Sequence, residues 1–134
     1  MFLFICLFFG RGSKRPLLDT SQFTLLIKNF IEFPTFGKAY RRRNILDDAN
    51  KTYLQSCHYN PDKDPYCPIF QVDDMVNFAG ENFTQLSIKG GVIVITINWD
   101  CNLDWDFLEY CLPTYSFRRA DDPDTKISPG WNFR

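Results

Sequence analysis

The chain has 134 residues, of which 45% are hydrophobic and 23% charged, and its formal net charge is −1. That length is a prior for one domain, and that balance excludes a disordered chain. A charge so near zero supplies no global field to draw nucleic acid or an anionic membrane, so any anion site must rest on a local cluster of cations. Aromatic residues make up 17%, fourteen of them Phe, which favours strands, because flat bulky side chains fit a pleated, half-buried surface.

Met1–Phe9 is apolar but far shorter than the roughly 20 residues that span a bilayer. It resembles the core of a signal peptide, except that Arg11, Lys14 and Arg15 follow it instead of preceding it. Residues 1–14 are therefore set apart as an atypical apolar and basic N-terminal segment, and residues 15–134 as the body of the chain. Gln22–Phe33 is dominated by apolar and β-branched residues and closed by Pro34, which predicts a strand. Gly37–Asp48 carries Arg41-Arg42-Arg43 and reads as a polar connection with the three arginines solvated.

Lys51–Cys57 and Tyr66–Gln71 predict short strands on either side of a cysteine loop. Across Asp73–Ile88, Met75, Val76, Phe78, Ala79, Phe83, Leu86 and Ile88 recur near helical spacing; Gly80 interrupts them, so two short helical turns are predicted. Gly90-Gly91 ends that pattern, and Val92–Trp99 is nearly all apolar and β-branched, as a buried central strand requires. Leu112–Arg119 and Trp131–Arg134 predict further short strands, with Ala120–Gly130, rich in Asp, Pro and Gly, as a surface loop between them. The fold class expected is mostly β with a small helical insert.

Five cysteines are present. Cys57 and Cys67 bracket a loop with two prolines and two acids, a turn-forming composition, and Cys101 and Cys111 have the same spacing. In an oxidising compartment each closure would stabilise by about 2–3 kcal/mol on the chain-entropy account. Four free or metal-binding thiols are the alternative, but there is no Cys-x-x-Cys and His58 is the one histidine, so zinc is poorly served. Cys6 is left over. Two N-glycosylation sequons, Asn50-Lys51-Thr52 and Asn82-Phe83-Thr84, agree with the oxidising compartment.

Enzyme chemistry finds little to work with. His58 sits in a polar loop beside a cysteine, no phosphate-cradling glycine loop opens a helix, and Gly90-Gly91 precedes a strand, the wrong context for a dinucleotide fingerprint. Asp100, Asp104, Asp106, Asp121, Asp122 and Asp124 fall in turn-like stretches with no paired geometry to argue. The expectation is that the chain is not an enzyme and uses no cofactor or metal.

A series of ordered blocks is more specific. Phe23-Thr24-Leu25-Leu26-Ile27-Lys28-Asn29, Cys67-Pro68-Ile69-Phe70 and Lys89-Gly90-Gly91-Val92-Ile93 come first. Asn98-Trp99-Asp100-Cys101-Asn102-Leu103-Asp104, Tyr115-Ser116-Phe117-Arg118-Arg119 and Ser128-Pro129-Gly130-Trp131-Asn132-Phe133-Arg134 follow. In this order they resemble the P2X purinoceptors, ATP-gated purinergic receptor cation channels, over the C-terminal half of the family's extracellular domain.

The resemblance implies a trimer of subunits in which ATP lies between neighbours. It ties Asn132 and Arg134 to the phosphates, Lys28 to a lysine near that site, Thr24 to the adenine edge and Leu26 to an apolar contact beside it. Leu54 and Ile69 match apolar positions on the neighbouring subunit's side. That division of labour is physically sound, since Arg and Lys neutralise a triphosphate while Thr reads a base edge. Strand alternation also puts Thr24, Leu26 and Lys28 on one face.

The same resemblance pairs Cys57 with Cys67 and Cys101 with Cys111. It makes Ala120–Gly130 a flap beside the ATP site and Arg41–Pro68 a projecting lobe, and it implies the extracellular side of the plasma membrane. Val94 stands where the family usually has glycine, and Trp131 replaces a tyrosine. The family's two membrane helices and its other phosphate-binding lysines have no counterpart in the sequence. The expectation is thus a partial ATP site in a chain that does not conduct by itself. The competing expectation is a truncated secreted or lumenal protein without channel activity that associates with intact subunits.

Overall fold

The computed structural model describes residues 2–7, 18–37 and 40–121. Its strands are β1 (Phe2–Leu7), β2 (Thr24–Leu26), β3 (Phe30–Glu32), β4 (Arg41–Arg43), β5 (Ile69–Gln71), β6 (Gly91–Asp100) and β7 (Leu112–Arg119). Its helices are α1 (Lys51–Ser56), α2 (Val72–Phe78), α3 (Phe83–Lys89) and α4 (Phe107–Tyr110), with 3₁₀ turns at Leu18–Gln22 and Pro34–Phe36. Strand and helix are roughly balanced, so the expected mostly-β class gives way to a mixed fold of small sheets and short helices. Among the described residues three sheets form, in the orders β1-β6-β7, β2-β5 and β3-β4. Among the described residues no helix is long and apolar enough to cross a membrane.

The chain divides into two compact units. The first draws its described residues from 2–7, 18–23, 71–97 and 115–121. The nearly continuous apolar run of β6 explains much of its core: Val92, Ile93, Val94, Ile95 and Ile97 are all buried, as are Val72, Met75, Val76, Phe83 and Leu86 of α2 and α3. The two predicted helical turns are thus present. Gly80, at φ 77°, occupies the left-handed region that a side chain resists, which is why the two do not merge. Gly91 sits close to the buried Leu86 side chain, which would have to shift to admit a Cβ there. Val94 is fully buried within an unbroken strand.

The second unit comprises 24–37, 40–70 and 98–114. Gln22–Phe33, expected as one strand, is two, β2 and β3, broken at residues 27–29. Asn44 makes the break possible. Fully buried, it accepts the Asn29 backbone N–H at 2.6 Å through Oδ1 and donates Nδ2 to the Ile27 carbonyl at 2.8 Å. Its own N–H donates to the Asn29 carbonyl at 3.0 Å. One side chain therefore does the work of a strand neighbour, since backbone groups withdrawn from water must be paired.

Two further expectations fail here. Lys51–Cys57 is helix, not strand: Asn50 caps it by accepting the Tyr53 N–H at 2.8 Å, and the Tyr53 hydroxyl donates to Asp64 at 2.7 Å. The three arginines form β4 and are not a solvated loop, with Arg42 buried against the carbonyls of Cys111 and Leu108 at 3.3 and 2.8 Å. Both expected disulfides are formed, Cys57–Cys67 and Cys101–Cys111, with Cα atoms 6.0 and 4.4 Å apart.

Candidate functional site

Along β2 and β3 exposure alternates without a slip across the break: Thr24, Leu26, Lys28, Phe30 and Glu32 face solvent, whereas Ile27 and Asn29 are buried. The Asn44 clamp holds that phase, and the Trp99 Nε1–H donates to the Asn29 side-chain oxygen at 2.8 Å from the far side. Lys28 is therefore presented by a segment whose inward neighbours are both pinned. Leu26 and Phe30 lie 48% and 52% exposed beside it, a large apolar outlay for a surface strand.

β4 extends the face. Its antiparallel register sets Arg43 opposite Phe30 and Arg41 opposite Glu32, with both arginines exposed while Arg42 between them is buried. The Arg41 guanidinium stacks on the Phe30 ring, 4.1 Å from its centroid. The result is a surface with Lys28, Arg41 and Arg43 as cations, Glu32 as an anion opposite Arg41, Leu26 and Phe30 as apolar ground, and Thr24 as a hydroxyl. Chemically it suits an anion joined to a flat, partly apolar group. Phe30 carries no site expectation from the sequence, and Arg41 and Arg43 are expected there only as part of a solvated run. Continuing the two-residue alternation from Lys28 would have found Phe30, whereas Arg41 and Arg43 join the face only through the β3–β4 register.

Ile69 is half-buried on β5, the strand paired with β2, and the backbone there is bracketed by hydrogen bonds from Ile27 N–H to the Pro68 carbonyl at 3.0 Å and from Tyr59 N–H to the Ile69 carbonyl at 2.7 Å. Leu54 is half-buried on α1, which the Cys57–Cys67 disulfide and the Tyr53–Asp64 hydrogen bond tie to the cysteine loop. It is not part of the strand face. Asn132 and Arg134 lie outside the described residues, as does most of the Ala120–Gly130 loop.

A cavity of about 380 Å³ lies near α1, lined by Leu46, Asp48, Ala49, Asn50, Tyr53, Asp64 and Tyr66. Two carboxylates and no cation make it a poor host for an anion. Burial, with Asp64 beside it, raises the Tyr53 phenol far above its usual range and keeps it a neutral donor. Asp64 also lies at ligating distance from Cys57 and Cys67, but both sulfurs are spent in the disulfide.

In the first unit, Arg119 donates to Asp121 at 2.7 Å and to Glu81 at 3.1 Å, while Asp121 also accepts the Val92 N–H at 2.7 Å. Burial alone would raise the Asp121 carboxyl, but the hydrogen bonds from Arg119 and Val92 outweigh it and hold it below its usual value. This knot ties the residues just after β7 to the start of β6.

The sequence model of the ATP P2X receptor family matches residues 10–134. The chain belongs to the P2X receptor family. P2X purinoceptor 4 of the mouse is 48% identical over 120 residues, which cover 88% of this chain and 30% of that protein. The P2X purinoceptor 7 of the mouse is 48% identical over 128 residues, covering 92% of this chain and 20% of its own length.

Among solved structures, an invertebrate P2X receptor from the Gulf Coast tick, crystallised in the presence of ATP and Zn²⁺, is similar with a TM-score of 0.77 and 54% identity over 87% of this chain and 33% of that one. The chicken ATP-gated P2X7 receptor channel, with the competitive antagonist TNP-ATP, is similar with a TM-score of 0.68 and 43% identity over 82% of this chain and 32% of that one. The chain thus spans about a third or less of the length of these P2X relatives. Membership of a receptor family agrees with a sequence that offers no catalytic set.

Proposed function

We propose that this chain is the C-terminal part of the extracellular domain of an ATP-gated cation channel subunit and carries one share of an ATP site formed between neighbouring subunits of a trimer at the plasma membrane. The observation that supports this best is the solvent face of β2 and β3, where Thr24, Leu26 and Lys28 stand in line with Phe30, Arg41 and Arg43. Thr24 reads the adenine edge, Leu26 packs beside the base, and Lys28 takes phosphate charge together with Asn132 and Arg134. Leu54 and Ile69 are apolar contacts that the adjacent subunit's copy offers near the ribose. The ATP complex named for the tick receptor and the nucleotide antagonist named for the chicken channel are in keeping with this reading.

The test is Lys28→Ala in a full-length subunit carrying this sequence, read as the ATP concentration giving half-maximal current. A hydrogen bond from a cation to phosphate contributes about 1.5–3 kcal/mol, so the concentration should rise by roughly ten- to a hundredfold. Lys51→Ala, an exposed lysine at the start of α1, should leave it unchanged. An unaltered response in Lys28→Ala, at normal surface expression, would overturn the assignment.

A further inference from the structure

Strand β1 stands outside the part of the chain that matches the family, which begins at residue 10. It is nevertheless paired with β6 along its whole length, antiparallel, from Phe2 opposite Thr96 to Leu7 opposite Gly91. In the sheet order β1-β6-β7, β6 is central: β7 takes one of its edges and β1 the other. The β6 segment Val92–Ile97 is apolar, rich in β-branched residues and free of proline, with Val94 and Ile95 entirely buried. A strand of that composition with an open row of N–H and C=O groups is a template for pairing with another chain.

We propose that Phe2–Leu7 is an edge strand supplied by the chain itself, which occupies the outer pairing edge of β6, so that a strand from a second copy or another protein meets the six-residue β1 and not the ten-residue β6. Two features of the segment fit that office. It is apolar and β-prone over six residues, the length of the β6 stretch it covers, and at that length it cannot span a bilayer. The pairing is carried by main-chain groups, so it needs register more than any particular side chain. The inference is independent of the ATP reading, since it concerns the other unit of the chain.

Register makes the test specific. Cys6 lies opposite Val92, and the other four cysteines are joined in two disulfides. In the purified 134-residue chain, Val92→Cys under mild oxidation should form a link to Cys6 within one molecule, leaving no thiol open to alkylation. Val94→Cys, opposite Phe4, should leave two. Equal linking by both variants, no linking by V92C, or linking only between copies would overturn the proposal.

Hydrogen exchange gives a second readout in case V92C folds poorly. The amides of 2–7 and 92–96 should be protected together, and Ile5→Pro, which removes a strand amide, should speed exchange at 92–96 at least tenfold and bring on larger species in light scattering. Unchanged exchange at 92–96 in Ile5→Pro would equally overturn it.

Discussion

Two buried polar residues, Asn44 and Asp121, each hold backbone groups that are distant in sequence, and both are open to measurement. Asn44 satisfies a carbonyl and an N–H at the break between β2 and β3, and a methyl in its place leaves both without that partner. Each buried backbone group that loses such a hydrogen bond costs up to about 1–3 kcal/mol. Asn44→Ala should therefore lower unfolding free energy by up to about 2–6 kcal/mol in urea titration. Because Lys28 lies within the same short segment, the substitution should also weaken the response to ATP, whereas a surface change such as Gln55→Ala should move neither. Asp121 carries the second case, and its sign follows from its environment. Its folded value is depressed, so the stability it contributes is present above the unfolded carboxylate value, about 3.9, and is lost as pH falls through the folded value. Breaking a buried pair at one partner costs about 3–5 kcal/mol, so Asp121→Asn should be destabilised by that order at pH 7. The gap to the unsubstituted chain should narrow as pH is taken down to about 2. A gap that stays constant with pH would mean that the Arg119–Asp121 knot is not held by charge.

At the scale of elements, what the sequence made legible divides by the kind of force involved. β6 was legible because burial on both faces leaves a long run of β-branched residues, and α2 and α3 because the spacing of Met75, Val76, Phe83 and Leu86 is helical and Gly80 breaks it. Where long-range polar contacts decide, composition misled. Thr52 and Tyr53 favour a strand locally, yet the Asn50 cap, the Tyr53–Asp64 hydrogen bond and the Cys57–Cys67 closure make α1 a helix. Six residues are too few to hold a helix alone, so such tertiary ties must supply its stability. The arginine run misled likewise, because the partners that bury Arg42 lie more than sixty positions away, at Leu108 and Cys111. For the site, alternation gave Thr24, Leu26 and Lys28 their common face, but the register that adds Arg41 and Arg43 belongs to pairing and could not be read off either strand alone. α1 also offers a separable prediction. Asn50 is exposed, its Oδ1 is spent on the cap, and its Nδ2, the atom that a glycan takes, donates to no described residue. We expect Asn50 to carry an N-linked glycan, as Asn82 should at the N-cap of α3. Asn50→Asp should lose the glycan, seen as a smaller mobility shift on glycosidase treatment, while keeping the cap. Asn50→Ala should lose both, at a cost of about 1 kcal/mol in stability.

At the scale of the whole molecule, the proposed site is divided: Thr24, Leu26 and Lys28 belong to one subunit's share, and Leu54 and Ile69 to its neighbour's. A contact between two different surfaces of identical subunits is heterologous, and a ring closes when each subunit offers one surface to each side. That geometry has a consequence that no single substitution can test. A subunit with Lys28→Ala spoils its own share and leaves its neighbour-facing share intact; a subunit with Leu54→Ala and Ile69→Ala does the reverse. Trimers built from either alone contain three damaged junctions. A mixed trimer must contain one junction at which the intact Lys28 share meets the intact Leu54 share, whatever the ratio of the two subunits. Coexpression in full-length subunits should therefore restore a fraction of channels with at least one normal site, seen as a high-affinity component of equilibrium ATP binding that neither subunit shows alone. If both shares belonged to a single subunit's site, every site in the mixture would keep one defect and no such component would emerge. The absence of recovery, with mixed assembly demonstrated by co-purification, would therefore place Leu54 and Ile69 on the same side as Lys28 and overturn the divided site while leaving Lys28 itself in play.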